Sequence, residues 1–313
     1  KRYIRRDKYT MLSNKKIICP TNLLNVAKKS GIIDAAIVNA GEIFPMESVY
    51  MAVKHNLINP IFIGDQDAIK KYANKLEWDI SKYKIIDEKN ENGTAPIAAR
   101  LASEGEVKII VKGHIHTDIL MKAVLKRDLN LIGKKRLSHV WHMTLEENDK
   151  PFIITDGVVN VLPKLEVKMH ILRNAVEFAN KIGIEKPKVA VLSATEEVIE
   201  SVPSSIDANI ITKRAKEEGI NADVFGPLAF DNSVSKKSAA IKKIKNTVSG
   251  ETDILLVPNV ESGNALVKMM IYFMGACAAG VVLGGKAPVV ITSRSDEAEA
   301  RLASIAAAVV SLN

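Results

Sequence analysis

Five short polar clusters carry the residue types that could do chemistry, and each follows an apolar run. They are Lys112-Gly-His-Ile-His-Thr-Asp118, Thr155-Asp-Gly157 with Asn160, Phe225-Gly-Pro-Leu228 with Asp231, Pro258-Asn-Val-Glu-Ser-Gly-Asn264 with Lys268 one turn later, and Thr292-Ser-Arg294. The last is the most pointed. Ser293 offers a hydroxyl, and Arg294 offers a fixed cation whose planar donor fork suits phosphate. Asp296, Glu297 and Glu299 already load the start of the following helix with negative charge. Read locally, Arg294 therefore either holds an anion or pairs with those acids. Gly113, Gly226, Pro227 and Gly263 have a bland reading as turn formers. In open α/β sheets, however, ligands bind beyond the carboxyl ends of strands, and five such clusters predict one shared cleft.

Other chemistries fit less well. His114, His116, His139 and His142 could be read as metal ligands, but no Cys joins them and their spacing matches no zinc pattern. They are expected to be core, capping or substrate-contacting histidines, with no metal. Gly280 to Ala287 has the spacing of a phosphate-binding loop, yet Ala287 stands where a Ser or Thr would hold magnesium, and Val281-Val282-Leu283 is strand-like. Neither a G-x-G-x-x-G fingerprint nor a G-x-S-x-G elbow occurs.

Strands and helices alternate along the chain. Apolar runs at 32–38, 59–64, 83–87, 107–112, 188–193, 222–228, 253–258, 277–283 and 287–291 predict strands. Helical spacing predicts helices at 45–54, 67–76, 94–104, 116–127, 165–181, 207–218, 236–245 and 263–274. A last helix has Asp296 as N-cap and Glu299 as capping-box partner, with Leu302, Ile305, Ala306, Val309 and Val310 on its core face. Between Ser138 and Thr155 the pattern instead predicts an antiparallel hairpin turning at 146–150. The alternation elsewhere predicts parallel βαβ units.

Length and composition narrow the class. At 313 residues the chain exceeds a typical single core, so two α/β domains are expected. Aromatics make up only 5%, against a stacking platform for single-stranded nucleic acid. The net charge of +8 is dispersed, apart from a basic cluster at residues 1–8, and favours small anionic ligands over nucleic acid. Cys19 and Cys277 are isolated, which predicts a reducing compartment. The uncharged stretch 269–285 is interrupted by glycines and is expected to be a buried helix end and a buried strand, not a membrane span.

Together these motifs resemble the phosphate acetyltransferase/phosphate butyryltransferase family, from about Ile32 to the end. Beside the clusters above, the carrying stretches are Leu137-Ser-His139, Ile154-Thr-Asp-Gly-Val-Val-Asn160, Gly183-Ile-Glu-Lys-Pro187, Gly226-Pro-Leu-Ala-Phe-Asp231, Asp253-Ile-Leu-Leu-Val-Pro258, Ser262-Gly-Asn264 and Ala287-Pro-Val-Val-Ile-Thr-Ser-Arg294. The start, Arg6-Asp-Lys-Tyr9, resembles the linker that follows a MaoC-type enoyl-CoA hydratase domain in bifunctional proteins, so the sequence is expected to be a C-terminal half.

The resemblance implies two three-layer α/β/α domains with an isocitrate/isopropylmalate dehydrogenase-like fold, at 1–136 plus 281–313 and at 137–280. It implies a cleft between them, a cytoplasmic homodimer, and no metal or permanent cofactor. The implied reaction is acyl-CoA plus phosphate giving acyl phosphate plus CoA, by direct attack in a ternary complex. Ser293 and Arg294 match the family's serine-arginine pair. Lys112, Gly113, Lys122, Asn160, Gly226, Pro227, Gly263, Asn264 and Lys268 are expected to bind phosphate or CoA. Where the family has a proposed aspartate base, this sequence has Ala300, with Glu299 next door. His116 and Asp231 are the candidate bases. The substitution also leaves room for a second function, a non-catalytic acyl-CoA-sensing module.

Overall fold

A computed structural model describes residues 13–133, 135–146, 148–292 and 296–313, the side chains of 148 and 149 excepted. The basic cluster at 1–8 and the Ser293–Arg294 pair lie outside the described residues.

Strands β1 (Ile33–Val38), β2 (Ile58–Gly64), β3 (Ile85–Asp87) and β4 (Ile109–Lys112) come first, followed by the hairpin of β5 (Ser138–Leu145) and β6 (Asn148–Thr155). Then come β7 (Lys188–Leu192), β8 (Asp223–Leu228), β9 (Ile254–Leu256), β10 (Cys277–Leu283) and β11 (Val289–Val290). Among the described residues they form one sheet, in the order β3-β2-β1-β4-β11-β10-β5-β6-β9-β7-β8. The strands from β3 to β11 run parallel, and so do those from β6 to β8. Between the two sets, β10 and β5 pair antiparallel with both neighbours, so the sets run in opposite directions.

The register decides where they meet. Val111, Val290, Val281, Val140, Thr155, Leu256 and Val191 lie on one row across the sheet. β4 and β11 reach that row at their carboxyl ends from one direction. β6, β9 and β7 reach it at theirs from the other. The polar segments after both sets are thereby brought to one level.

The helices are α1 (Thr21–Lys28), α2 (Ile43–Lys54), α3 (Gln66–Lys75), α4 (Glu91–Glu104), α5 (Thr117–Val124), α6 (Leu165–Lys181), α7 (Pro203–Glu217), α8 (Phe230–Val234), α9 (Lys236–Ile241), α10 (Val260–Met274) and α11 (Ala298–Val310). On one face of the sheet α1, α2, α3, α6, α7 and α11 share a single continuous core. On the other face the core is divided. One part holds α4 and α5 with Leu137, Val282 and Val289. The other holds α10 with Trp141 and Ala278. The break falls at His139 on β5, between Leu137, which precedes that strand, and Trp141, and at Gly280, between Val282 and Ala278 on β10. This is a two-domain α/β/α architecture in which one sheet is continuous and one helical layer is split.

Several boundaries differ from the sequence expectation. α4 and α10 begin earlier because Asn90 and Asn259 cap them, accepting from Asn92 N and Ser262 N. α7 begins at Pro203, a residue suited to a first helical turn. Neither α1, in the polar N-terminal stretch, nor the short α8 was expected. β11 is only Val289–Val290, shorter than the apolar run that carries it.

Candidate active site

The site is built from the segments that leave the strands beside the divided core. Thr292, just after β11, is held from two sides. Lys112 Nζ, at the end of β4, donates to its carbonyl oxygen at 3.4 Å. Arg301 Nη1, in the first turn of α11, donates to its hydroxyl at 3.0 Å. Both cations are buried, at 4% and 5% exposure. Arg301 Nε also donates to the Asp296 carbonyl oxygen at 3.1 Å. Burial pulls the Arg301 pKa down and nearby Asp296 opposes that, but a guanidinium keeps its charge in a protein. Two buried basic side chains thus bracket the residue that precedes Ser293.

The start of α11 corrects an expectation. Its N-cap is Glu297, not Asp296, and no side chain caps it. Glu299 forms no capping box. Its Oε2 accepts from Cys19 N at 3.0 Å, and its charge helps to push the Cys277 thiol up to about 12, burial being the larger cause. Cys19 and Cys277 belong to the continuous core, so Glu299 is committed to the face away from the divide. Ala300 is buried. Arg301 was missed, although a lone arginine in a helix apolar on every side is a legible signal.

The segment after β6 closes the other side. Asp156 is buried and accepts four hydrogen bonds. Oδ1 takes Val158 N and Val159 N, and Oδ2 takes His139 N at 3.0 Å and Asn160 Nδ2 at 2.7 Å. Burial raises the Asp156 pKa and these four donors oppose the rise. Asn160 Nδ2 also reaches the Leu137 carbonyl oxygen. Val159 packs against the α4–α5 core and Val158 against the α10 core, so this loop spans the divide.

The N-terminus of α10 sits on that loop. A Cβ on Gly263 would meet Gly157 Cα at 2.9 Å and Val257 Cγ2 at 2.9 Å, so only glycine permits the approach. Asn264 Nδ2 reaches the Gly157 carbonyl oxygen at 3.4 Å. Half-buried Lys268 follows one turn on. A helix N-terminus presented this way can receive an anion. On the opposite side Gly113 N donates to the Val38 carbonyl oxygen. A Cβ there would lie 2.3 Å from that same atom.

The remaining expected residues lie further out. His116 is the exposed N-cap of α5, its backbone N–H given to Glu91 Oε1. Lys122 is 81% exposed and faces Asp118 across one helical turn. Gly226 and Pro227 are buried in β8, and Asp231 lies in the first turn of α8, its carboxylate 3.9 Å from Lys242. β8 is the sheet edge, six positions from β11, which at ~4.8 Å per strand is about 29 Å. A general base must come within hydrogen-bond reach of its proton. Asp231 thus lies beside the edge strand, away from Thr292 in the order of the sheet.

His139 and His142 lie on β5 and point to opposite faces. Both rings are fully buried, and burial lowers their pKa to about 3 and about 4. The His139 ring packs against Trp141 with centroids 4.5 Å apart, and His142 meets Phe178 edge-on. Among the described residues, no three His, Cys, Asp or Glu side chains gather as a metal site would need.

Comparison with known proteins places this geometry. Residues 88–309 match the family model described as phosphate acetyl/butaryl transferase. A phosphate acetyltransferase of Rickettsia prowazekii is 40% identical over 90% of this chain and 81% of its own length. A phosphate butyryltransferase of Clostridium acetobutylicum is 36% identical over 84% and 88%. The crystal structure of a branched-chain phosphotransacylase from Enterococcus faecalis superimposes with a TM-score of 0.78 at 33% identity, covering 90% of this chain and 99% of that one.

Proposed function

The chain belongs to the phosphate acetyl/butyryl transferase family, and from that premise we propose how its divided core carries out the reaction. The protein is an acyltransferase that moves an acyl group reversibly between CoA and inorganic phosphate. The observation that carries the assignment of the reacting end is the convergence of Lys112 and Arg301 on Thr292, immediately before Ser293 and Arg294.

In this reading a phosphate oxygen attacks the thioester carbonyl carbon. A C–O bond forms, the C–S bond breaks, and the electron pair leaves on sulfur. Arg294 holds phosphate in its donor fork, and Ser293 donates to the carbonyl oxygen as it becomes an oxyanion. Lys112, Asn160, Asn264 and Lys268 bind phosphate or the CoA pyrophosphate. Lys112 and Arg301 are already held on Thr292 before substrate arrives, so little reorganisation is needed in the transition state. In the reverse direction His116 is the candidate acceptor of the CoA thiol proton. Lys122, Gly226, Pro227 and Asp231, further out, are assigned to the rest of the CoA molecule.

The proposed domains remain 1–136 plus 281–313 and 137–280. Support for the second cut is that the core divides at Gly280. We also place the protein in the cytoplasm as a homodimer. Its free cysteines are buried, and Met269, Tyr272, Phe273 and Met274 expose an apolar patch at the end of α10 that a second copy would cover. No helix among the described residues is long and apolar enough to cross a membrane. A monomer in sedimentation velocity would refute the dimer.

The test is release of free thiol from acetyl-CoA and butyryl-CoA, with and without phosphate. Phosphate-dependent turnover is expected, and Ser293→Ala and Arg294→Ala should each lower it by roughly 10²–10³ with the fold intact. CoA binding without phosphate-dependent turnover would favour the acyl-CoA-sensing alternative.

A further inference from the structure

His142 projects from β5 into the continuous helical layer, where its ring meets Phe178. It is 4% exposed, and its Nδ1 has no hydrogen-bond partner among the described residues. Buried polar atoms are nearly always paired, so an unpaired one points to a missing partner. Burial lowers the His142 pKa to about 4, its own backbone opposing part of that fall. The ring is therefore neutral at pH 7 and offers one donor and one acceptor.

The ring also forms part of the wall of an open pocket of about 400 Å³. Leu23 and Val26 of α1, Pro151 of β6, and Ile182 and Ile184 in the turn that ends α6 give it apolar sides. Lys29, exposed at the last turn of α1, is the one charged side chain among the described residues that line it. Apolar walls with a few placed polar groups, in a volume of roughly 300–1,000 Å³, are the usual form of a small-molecule site.

We propose that this pocket binds a small amphiphilic monoanion, with its carboxylate at Lys29, a short methylene chain along the apolar walls and a hydroxyl at His142. Each part follows from the chemistry of the wall it meets. A hydroxyl both donates and accepts, so it satisfies the imidazole whichever nitrogen carries the proton. The methylenes are removed from water against Leu23, Val26, Ile182 and Ile184. The carboxylate stays at the solvated mouth, where it meets a cation without being desolvated. His142 and His139 point to opposite faces of the sheet, and the divided layer lies on the His139 side. The ligand therefore does not occupy the cleft assigned to CoA and phosphate. It touches α1 on one side and the hairpin and the end of α6 on the other.

The test titrates the full chain with 6-hydroxyhexanoate at pH 7, by calorimetry and saturation-transfer NMR, beside hexanoate and 1,6-hexanediol. A Kd on the order of 1 mM is expected for a ligand of this size. Hexanoate, lacking the hydroxyl, should bind about three- to tenfold more weakly. His142→Phe keeps a ring and removes its nitrogens, so it should abolish that preference and leave hexanoate binding intact. Lys29→Gln changes only an exposed side chain. It should weaken both acids about threefold at low salt and leave 1,6-hexanediol unaffected. Binding of the probe should persist under saturating CoA and phosphate.

No binding at about ten times that Kd would mean that water alone fills the pocket, and overturns the proposal. Equal affinity for hexanoate, an unchanged preference in His142→Phe, or displacement of the probe by CoA would each overturn it as well. If His142→Phe does not fold, Lys29→Gln decides. Unchanged affinity for both acids in that variant overturns the assignment.

Discussion

The backbone N–H of His139 donates to Asp156 Oδ2 at 3.0 Å, and this bond ties the strand beneath the divided core to the loop that bridges it. The same carboxylate oxygen takes Asn160 Nδ2, and its partner oxygen takes two successive backbone N–H groups. Asp156 is thus the hub from which the loop after β6 obtains its shape, and with it the seat for the N-terminus of α10.

Asp156→Asn should be severe for so small a change. The amide oxygen can still accept from Val158 and Val159. The amide nitrogen would face His139 N and Asn160 Nδ2, donor against donor. Each buried donor left unsatisfied costs about 1–3 kcal/mol, so a loss of roughly 2–5 kcal/mol is expected in urea unfolding. A change below about 0.5 kcal/mol, the usual size of a surface substitution, would show that Asp156 is no hub.

Gly280→Ala and Gly113→Ala should differ in kind. A Cβ at Gly280 would lie 2.7 Å from Trp141 Cζ3 and 2.9 Å from His139 Nε2, both side-chain atoms. These rings can shift, at a cost of about 1–3 kcal/mol for overpacking. At Gly113 the Cβ would meet the backbone oxygens of Val38 and Asn39 at 2.3 and 2.4 Å, and a β-strand end must move. Thermal melts should rank Gly113→Ala clearly below Gly280→Ala. The reverse order would contradict the backbone approach at Gly113.

The protein should lose stability as pH falls below about 6.5. His139 and His142 have an ordinary value of 6.5 when unfolded and are lowered by burial to about 3 and about 4 in the fold. The unfolded chain therefore binds protons first. Between 6.5 and roughly 4 it gains them while the fold does not, so stability falls with falling pH. Below those lowered values the histidine contribution is fully lost. Urea midpoints measured from pH 7 to pH 4 should drop, and a His139→Phe/His142→Phe variant should drop less. Equal slopes in the two proteins would show that other groups control the acid limb.

Much of the architecture could be read from residue order alone. Alternating apolar runs and 3.6-residue spacing are local properties, so β7, β10 and α6 fall where the pattern puts them. The strand-end clusters were also legible, since Gly, Asn, Lys and Arg beyond a strand are visible one segment at a time. Helix starts were harder. Asn90 and Asn259 cap helices that begin three residues ahead of the periodic pattern. Glu299 resembled a capping residue and instead reaches Cys19, 280 positions away.

What the sequence by itself determined, then, is the α/β class, the parallel units, and the residue types available for handling an anion, because each depends on neighbours along the chain. Tertiary structure alone decided which of them meet. Lys112 reaches Thr292 across 180 positions, through a sheet order in which β11 returns to lie between β4 and β10. The same order reverses the second parallel set and brings both sets of carboxyl ends to one row. It also splits one helical layer at His139 and Gly280, and sends Asp231 to the far edge. Local pattern fixes elements, but the packing of distant strands and the burial of charges such as Arg301 are settled only when the chain closes on itself.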